Sequence, residues 1–304
     1  MRNNRFPAPS FVTVNLIAVA GHFASAGAMI YFMTQYGELK FPLTENYLKW
    51  ERSSNSSCPD DIGRSVETRD NGEFCIKPTL DSAGLEINYP LLIVLFHLLS
   101  FFFQLLADMT HRIEFVKTLV GYDYWNIGRT GQNPLRFVEY SISASIMLVA
   151  IALLNGITDI NLLTCIVFLT GTCQLVGLAV EYVDNDAVQW VLHISGWFQF
   201  LCAYGVIIRA FAKAATADPD VQPPDFVWVI VIALALLYSV FGFVQLTELC
   251  CKLDCSKSLC GGCPTSCRTN DRINYECKEI SYVVLSLSAK LLLGWMLFSN
   301  LFMV

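Results

Sequence analysis

The sequence predicts an all-α membrane protein, a bundle of seven transmembrane helices, and three observations lead there. Of the 304 residues, 54% are hydrophobic and 15% charged, with a mean hydropathy of +0.48, so too little polar side chain remains to cover a water-soluble fold. Seven apolar stretches, at about 11–35, 89–107, 134–157, 160–182, 187–212, 225–248 and 280–303, each approach the ~20 residues that cross ~30 Å of hydrocarbon. Third, the basic residues are distributed unevenly. Eleven Lys and Arg, from Arg2 to Lys278, flank the spans on the side of the N-terminus; Arg209 and Lys213 flank them on the other, where a long loop adds six more. Long loops weigh little in this rule, so the N-terminus is expected in the cytoplasm and the C-terminus outside. Residues 1–304 then form a single membrane domain in a multi-pass protein of the plasma membrane. The basic residues are scattered and make no face for nucleic acid.

The first span holds His22 among small residues, Gly21, Ala24, Ser25, Ala26, Gly27 and Ala28, which permit close helix approach. A cleaved signal peptide competes here, since Arg2 and Arg5 precede an apolar run and Ala24-Ser25-Ala26 resembles a cleavage site; the apolar run continues to Phe32, which suits a spanning helix better. Residues 36–88 read as one large extracellular loop with Cys58, Cys75 and an Asn55-Ser56-Ser57 sequon. On that side of the membrane a Cys58–Cys75 disulfide can persist and Asn55 can be glycosylated.

The second span carries His97, Ser100 and Gln104, the last two one helical turn apart, and the 108–133 connection brings Tyr122, Tyr124 and Trp125 to the interface. The third opens with Pro134, well placed at a helix start, and sets Glu139, Ser143 and Met147 on one face. Arg136, a turn before Glu139, makes an Arg–Glu pair at the helix end the plain alternative for that carboxylate. The short 183–186 connection makes spans four and five antiparallel neighbours. Spans five and six carry Trp190, His193, Trp197, Phe198 and Phe200, then Tyr238, Phe241, Phe243 and Gln245. Aromatics at helical spacing are ordinarily packing, so they count as lining only beside a ligand placed by other residues.

The 250–277 connection, cytoplasmic in this orientation, holds seven of the twelve cysteines. Cys255, Cys260, Cys263 and Cys267 have spacings that could ligate zinc or, less readily, an iron–sulfur cluster. Adjacent Cys250 and Cys251 suit S-palmitoylation; disulfides are a third possibility, one that would count against the orientation.

The seventh span places Lys290 in the middle of an apolar helix. A cation there costs about 2.5–3.5 kcal/mol on insertion scales, so it has a task or a partner; lysine forms Schiff bases with carbonyl compounds, and Glu139 is an acid within another span.

Arg136-Phe-Val-Glu139-Tyr140-Ser141-Ile-Ser143-Ala144-Ser145 and Ser286-Leu-Ser288-Ala289-Lys290 resemble the third- and seventh-helix signatures of the heliorhodopsins, which also insert with the N-terminus in the cytoplasm. The resemblance implies that Lys290 holds all-trans retinal as a protonated Schiff base, with Glu139 as counterion and Ser286 hydrogen-bonding nearby. Ser143, Met147, Trp197, Tyr238 and Phe241 become candidate lining. His22 matches a first-helix histidine of the family's cytoplasmic-side polar cluster, with Ser100; by the Ser100 spacing the second histidine is replaced by Gln104, although His97 is near. That departure weakens proton acceptance by the cluster. The 36–88 loop resembles the family's extracellular cap, and a homodimer in the lipid bilayer is implied. The expected function is non-enzymatic light sensing, with a conformational signal passed to a cytoplasmic partner. Light-driven or light-gated proton transport is the alternative, and a receptor or transporter using Lys290 as a plain charge is a third.

Overall fold

A computed structural model describes residues 10–36, 39–52, 66–67, 73–126, 131–217, 223–256 and 271–301. Seven of its helices are long and apolar enough to span a membrane: α1 (Ser10–Tyr36), α2 (Tyr89–Arg112), α4 (Pro134–Leu154), α5 (Ile160–Tyr182), α6 (Asp186–Ala217), α7 (Asp225–Ser256) and α8 (Asp271–Leu301). The 108–133 connection contains a short helix, α3 (Glu114–Val120), and a 3-10 turn, Tyr124–Asn126. The set of spans read from the sequence is therefore present. The last two helices reach beyond the spans read as 225–248 and 280–303, since α7 runs on to Ser256 and α8 begins at Asp271.

The helix starts are set by local chemistry. Asn88, Asn133 and Asp159 each cap a span by accepting the backbone N–H three residues on, from Leu91, Arg136 and Leu162. Pro90 and Pro134 lie in the first turn, where a missing N–H is harmless. Gly156, at φ +77°, turns the chain out of α4.

The segment read as a loop is a sheet: β1 (Lys40–Arg52), β2 (Val66–Glu67) and β3 (Glu73–Asn88), in the order β1-β3-β2 with antiparallel pairing. Its strands are rich in Lys, Glu, Asn and Pro, which hid them among turn formers. Gly84 at φ +68° sits at the register shift opposite Pro42 and Thr44. The sheet is tied to the bundle. Leu43 is buried, Phe41 meets Tyr89 at 5.2 Å, and the edge of β1 bonds to the α4–α5 turn through Thr44 N to Thr158 O (3.0 Å) and Asn46 N to Asp159 (2.9 Å). Asp159 thus caps α5 and anchors the sheet at once. Asn55 and Cys58 lie outside the described residues, as do Cys260, Cys263 and Cys267; Cys75 and Cys255 fall in β3 and α7.

The α4 helix is central: 72% of its span is buried, against 22% for α5, α6 and α7. The exposed apolar residues make stripes, such as Val191, Ile194, Phe198 and Leu201 on α6, at the spacing of a helix face. In lipid such a stripe needs no cover. The bundle interior instead carries the polar side chains.

Candidate functional site

Glu139 on α4 and Lys290 on α8 meet at mid-bundle. The Lys290 ammonium donates to Glu139 Oε1, to Ser100 Oγ at 2.5 Å and to Ser286 Oγ at 3.1 Å, and Ser100 also donates to Glu139 at 2.6 Å. The lysine and glutamate side chains are 4% and 3% exposed. A buried charge pair persists only with its remaining valences met, and two serines meet them. Ser286 precedes Lys290 by four residues and so shares its face; Ser100 comes from α2. Tyr140, next to Glu139, puts its ring 5.1 Å from the ammonium.

The sequence left Glu139 open to a bond with Arg136, and the structure separates the two. Arg136 donates to Glu279 on α8 and, at 2.5 Å, to Glu181 on α5, while its guanidinium lies 4.2 Å from the Tyr282 ring centroid. Lys278 bonds to Glu181 at 2.9 Å and to Glu248 on α7. Asn133 adds its amide to Glu279 (2.7 Å) and its N–H to Glu181 (3.0 Å). This network closes the end of the bundle away from the sheet. The individual charges were visible in sequence as span-end residues, but their pairing across α4, α5, α7 and α8 was not.

A second correction concerns the polar cluster. His22 Nδ1 lies 3.1 Å from His97 Nδ1, so His97, and not Gln104, is the partner of His22. The pair sits toward the sheet, against Gly294, one turn past Lys290: a Cβ at Gly294 would fall 2.5 Å from His97 Nε2. Ser100 belongs to the Lys290–Glu139 site. Gln104 is buried one turn further along α2, and its backbone carbonyl accepts from Asn15 at 2.9 Å. The spacing of His97 to Ser100, almost a full turn on the other side, was the available signal.

Lys290 borders a cavity of about 360 Å³ walled by Tyr140, Ser143, Met147, Gln174, Tyr238 and Phe241. A second cavity of about 610 Å³ shares Tyr140, Gln174, Tyr238 and Phe241 and continues to Trp197, Phe200 and His193. Ser143, Met147, Trp197, Tyr238 and Phe241 therefore fall on one continuous wall that starts at the lysine. Gln174, a polar residue in an otherwise apolar span, was missed.

Trp197 is held in a fixed pose. Its indole N–H donates to His193 Nε2 at 3.0 Å, His193 Nδ1 is 3.2 Å from Gln245 Oε1, and Gln245 donates to the Gly177 carbonyl at 2.9 Å. Only a neutral His193 protonated on Nδ1 satisfies the whole chain. Gly242 leaves room for the indole, since a Cβ there would lie 2.6 Å from Trp197 Cζ2. The slot begins at Lys290 and is lined largely by apolar side chains. The buried Ser143 hydroxyl, which has no hydrogen-bond partner, faces the same space.

No curated protein matches the chain. A family model described as Heliorhodopsin matches residues 70–251, a stretch that includes Ser100, Glu139, Trp197 and Phe241 but stops short of Lys290. Lys290 joins that stretch through space, by its bonds to Ser100 and Glu139. With more than half of its length matched, the chain belongs to the heliorhodopsins, a family of retinal-binding, light-sensing membrane proteins.

Proposed function

We propose that Lys290 carries all-trans retinal as a protonated Schiff base with Glu139 as counterion, and that light drives a conformational signal to the cytoplasm. The observation supporting this best is the position of the Lys290 nitrogen, held by Glu139, Ser100 and Ser286 at the start of an aromatic slot. When bound, retinal supplies visible absorption and a bond that isomerises.

The chain's own residues do the rest. Glu139 keeps the linked nitrogen protonated by opposing its charge and accepting its single N–H, and Ser100 orients the carboxylate by donating to it. Trp197, Tyr238 and Phe241 exclude water along the slot. The bistable element is the ion network from Arg136 to Glu248, which ties α4, α5, α7 and α8 at one end. A shift in the population of its two arrangements is the output.

The loop charges favour a cytoplasmic location for that end and an extracellular one for the sheet. Glycosylation in a eukaryotic host that is lost in Asn55→Gln supports this orientation; modification engineered into the opposite face refutes it.

The test is the visible spectrum after adding all-trans retinal to the wild type and Lys290→Ala, followed by hydroxylamine under illumination. A band that is absent from Lys290→Ala and bleached by hydroxylamine is expected. A band that persists in Lys290→Ala, or none in folded wild type, refutes the reading. Photocurrents that vanish in Glu139→Gln would replace signalling by ion transport.

A further inference from the structure

A third, smaller cavity lies beyond Glu139 on the side away from the sheet. Glu139 borders it, as do Asn133 and Glu279, with Asn15, Gln104 and Tyr124 also in its wall. Two wall atoms, Gln104 Oε1 and the Tyr124 phenol oxygen, are buried without a hydrogen-bond partner. Buried polar atoms left over beside a cavity are what ordered water satisfies.

We propose that water in this cavity joins Glu139 to Glu279, and that Glu279 receives the proton displaced from the Lys290–Glu139 pair after illumination. The inference rests on the reading of Lys290 as the retinal-bearing residue. One proton moves and no electrons do. The Lys290 nitrogen gives its proton to Glu139, Glu139 releases it to cavity water, and water delivers a proton to Glu279. The products are a neutral nitrogen, ionised Glu139 and neutral Glu279, so the positive charge lost at Lys290 is matched by the negative charge lost at Glu279. Chains of carboxyls and water inside membranes serve this purpose.

The surroundings of Glu279 suit the role. It faces Arg136 and Asn133 at the start of α4, Glu181 on α5, its neighbour Lys278 (which also holds Glu248 on α7), and Tyr124 across the cavity. Glu181 collects Arg136, Lys278 and the Asn133 N–H. Neutralising Glu279 removes one ion pair of Arg136 and leaves it the other, to Glu181.

The His22–His97 pair is the competing acceptor, and it lies on the opposite side of Lys290. Among the described residues no hydrogen bond joins the pair to Lys290, Ser100 or Glu139, and both Nε2 atoms are buried without partners.

Light-induced infrared difference spectra of the full-length, retinal-loaded protein test the assignment. The wild type should gain a protonated carboxyl band that is lost in Glu279→Gln, returns at a shifted frequency in Glu279→Asp, and survives in the double variant His22→Asn/His97→Asn. In retinal-free protein, the Glu279 carboxyl band found by pH titration should shift in Gln104→Leu, because the two share the cavity water. Survival of the light-induced band in Glu279→Gln, its loss in the histidine variant, or an unmoved Glu279 band in Gln104→Leu overturns the proposal. A wild type without visible absorption fails the retinal reading instead, before any infrared measurement.

Discussion

Replacing Glu139 by glutamine removes a charge while keeping the side chain's shape. Lys290 would remain inside the bundle, 4% exposed, with hydroxyls at 2.5 and 3.1 Å and no carboxylate. Breaking a buried ion pair from one side costs about 3–5 kcal/mol. The amide oxygen of the substituted side chain would still accept one bond, so the lower end, about 3 kcal/mol, is expected. Lys290→Met alone leaves the Glu139 carboxylate with Ser100 as its remaining donor in this site and should cost about as much. The double variant removes both charges and should be more stable than either single variant, because no uncompensated buried charge remains. The assay is thermal unfolding of retinal-free protein in one detergent at one scan rate, since unfolding of such proteins is commonly irreversible. The ordering decides the matter: a double variant less stable than either single one, with losses that simply add, would mean that Lys290 and Glu139 are not coupled.

Arg136→Met removes the cation bound to both Glu181 and Glu279 and should destabilise the protein by about 3–5 kcal/mol, read as a lower unfolding midpoint; an unchanged midpoint would remove the network from the stability of that end. Gly242→Ala should displace the Trp197 indole, whose Cζ2 would lie 2.6 Å from the new Cβ, and so shift the visible band; an unmoved band would take Trp197 out of the chromophore wall. Gly294→Ala should separate His97 from His22 at an overpacking cost of about 1–3 kcal/mol, with histidine nitrogen chemical shifts as the readout. Burial raises the Tyr124 phenol well above its ordinary value. The folded chain keeps a proton there that the unfolded chain releases above about pH 10, so stability is full below that pH and falls as pH rises beyond it. Tyr124→Phe should make the fall between about pH 9 and 11 shallower; an identical profile would show that Tyr124 contributes nothing to it.

Length and hydropathy made the seven spans legible in advance, because a helix in lipid must satisfy its backbone within itself and announce itself by about 20 apolar residues. The same physics made Lys290 and Glu139 stand out, since charge within a span is costly and therefore rare. Helical spacing then set Ser286 with Lys290, and Ser143 and Met147 with Glu139, on shared faces. The sheet was not legible. Its strands are short of apolar alternation, and what joins them, the β1–β3 ladder and its bonds to the α4–α5 turn at Thr158 and Asp159, links residues distant in sequence.

Partners across helices were decided by tertiary structure alone. Arg136 and Glu139 are one turn apart on α4, near enough in sequence to pair, yet the bundle gives each a different partner on α8, Glu279 and Lys290. His97 and Gln104 were both candidates for His22 until the relative height of α1 and α2 set His97 level with it and Gln104 at the cavity below Glu139. Sequence periodicity states which face of a helix a residue occupies. It carries no information on the rotation and vertical register of one helix against another, which packing of the whole bundle determines, and those two quantities decide which charge meets which.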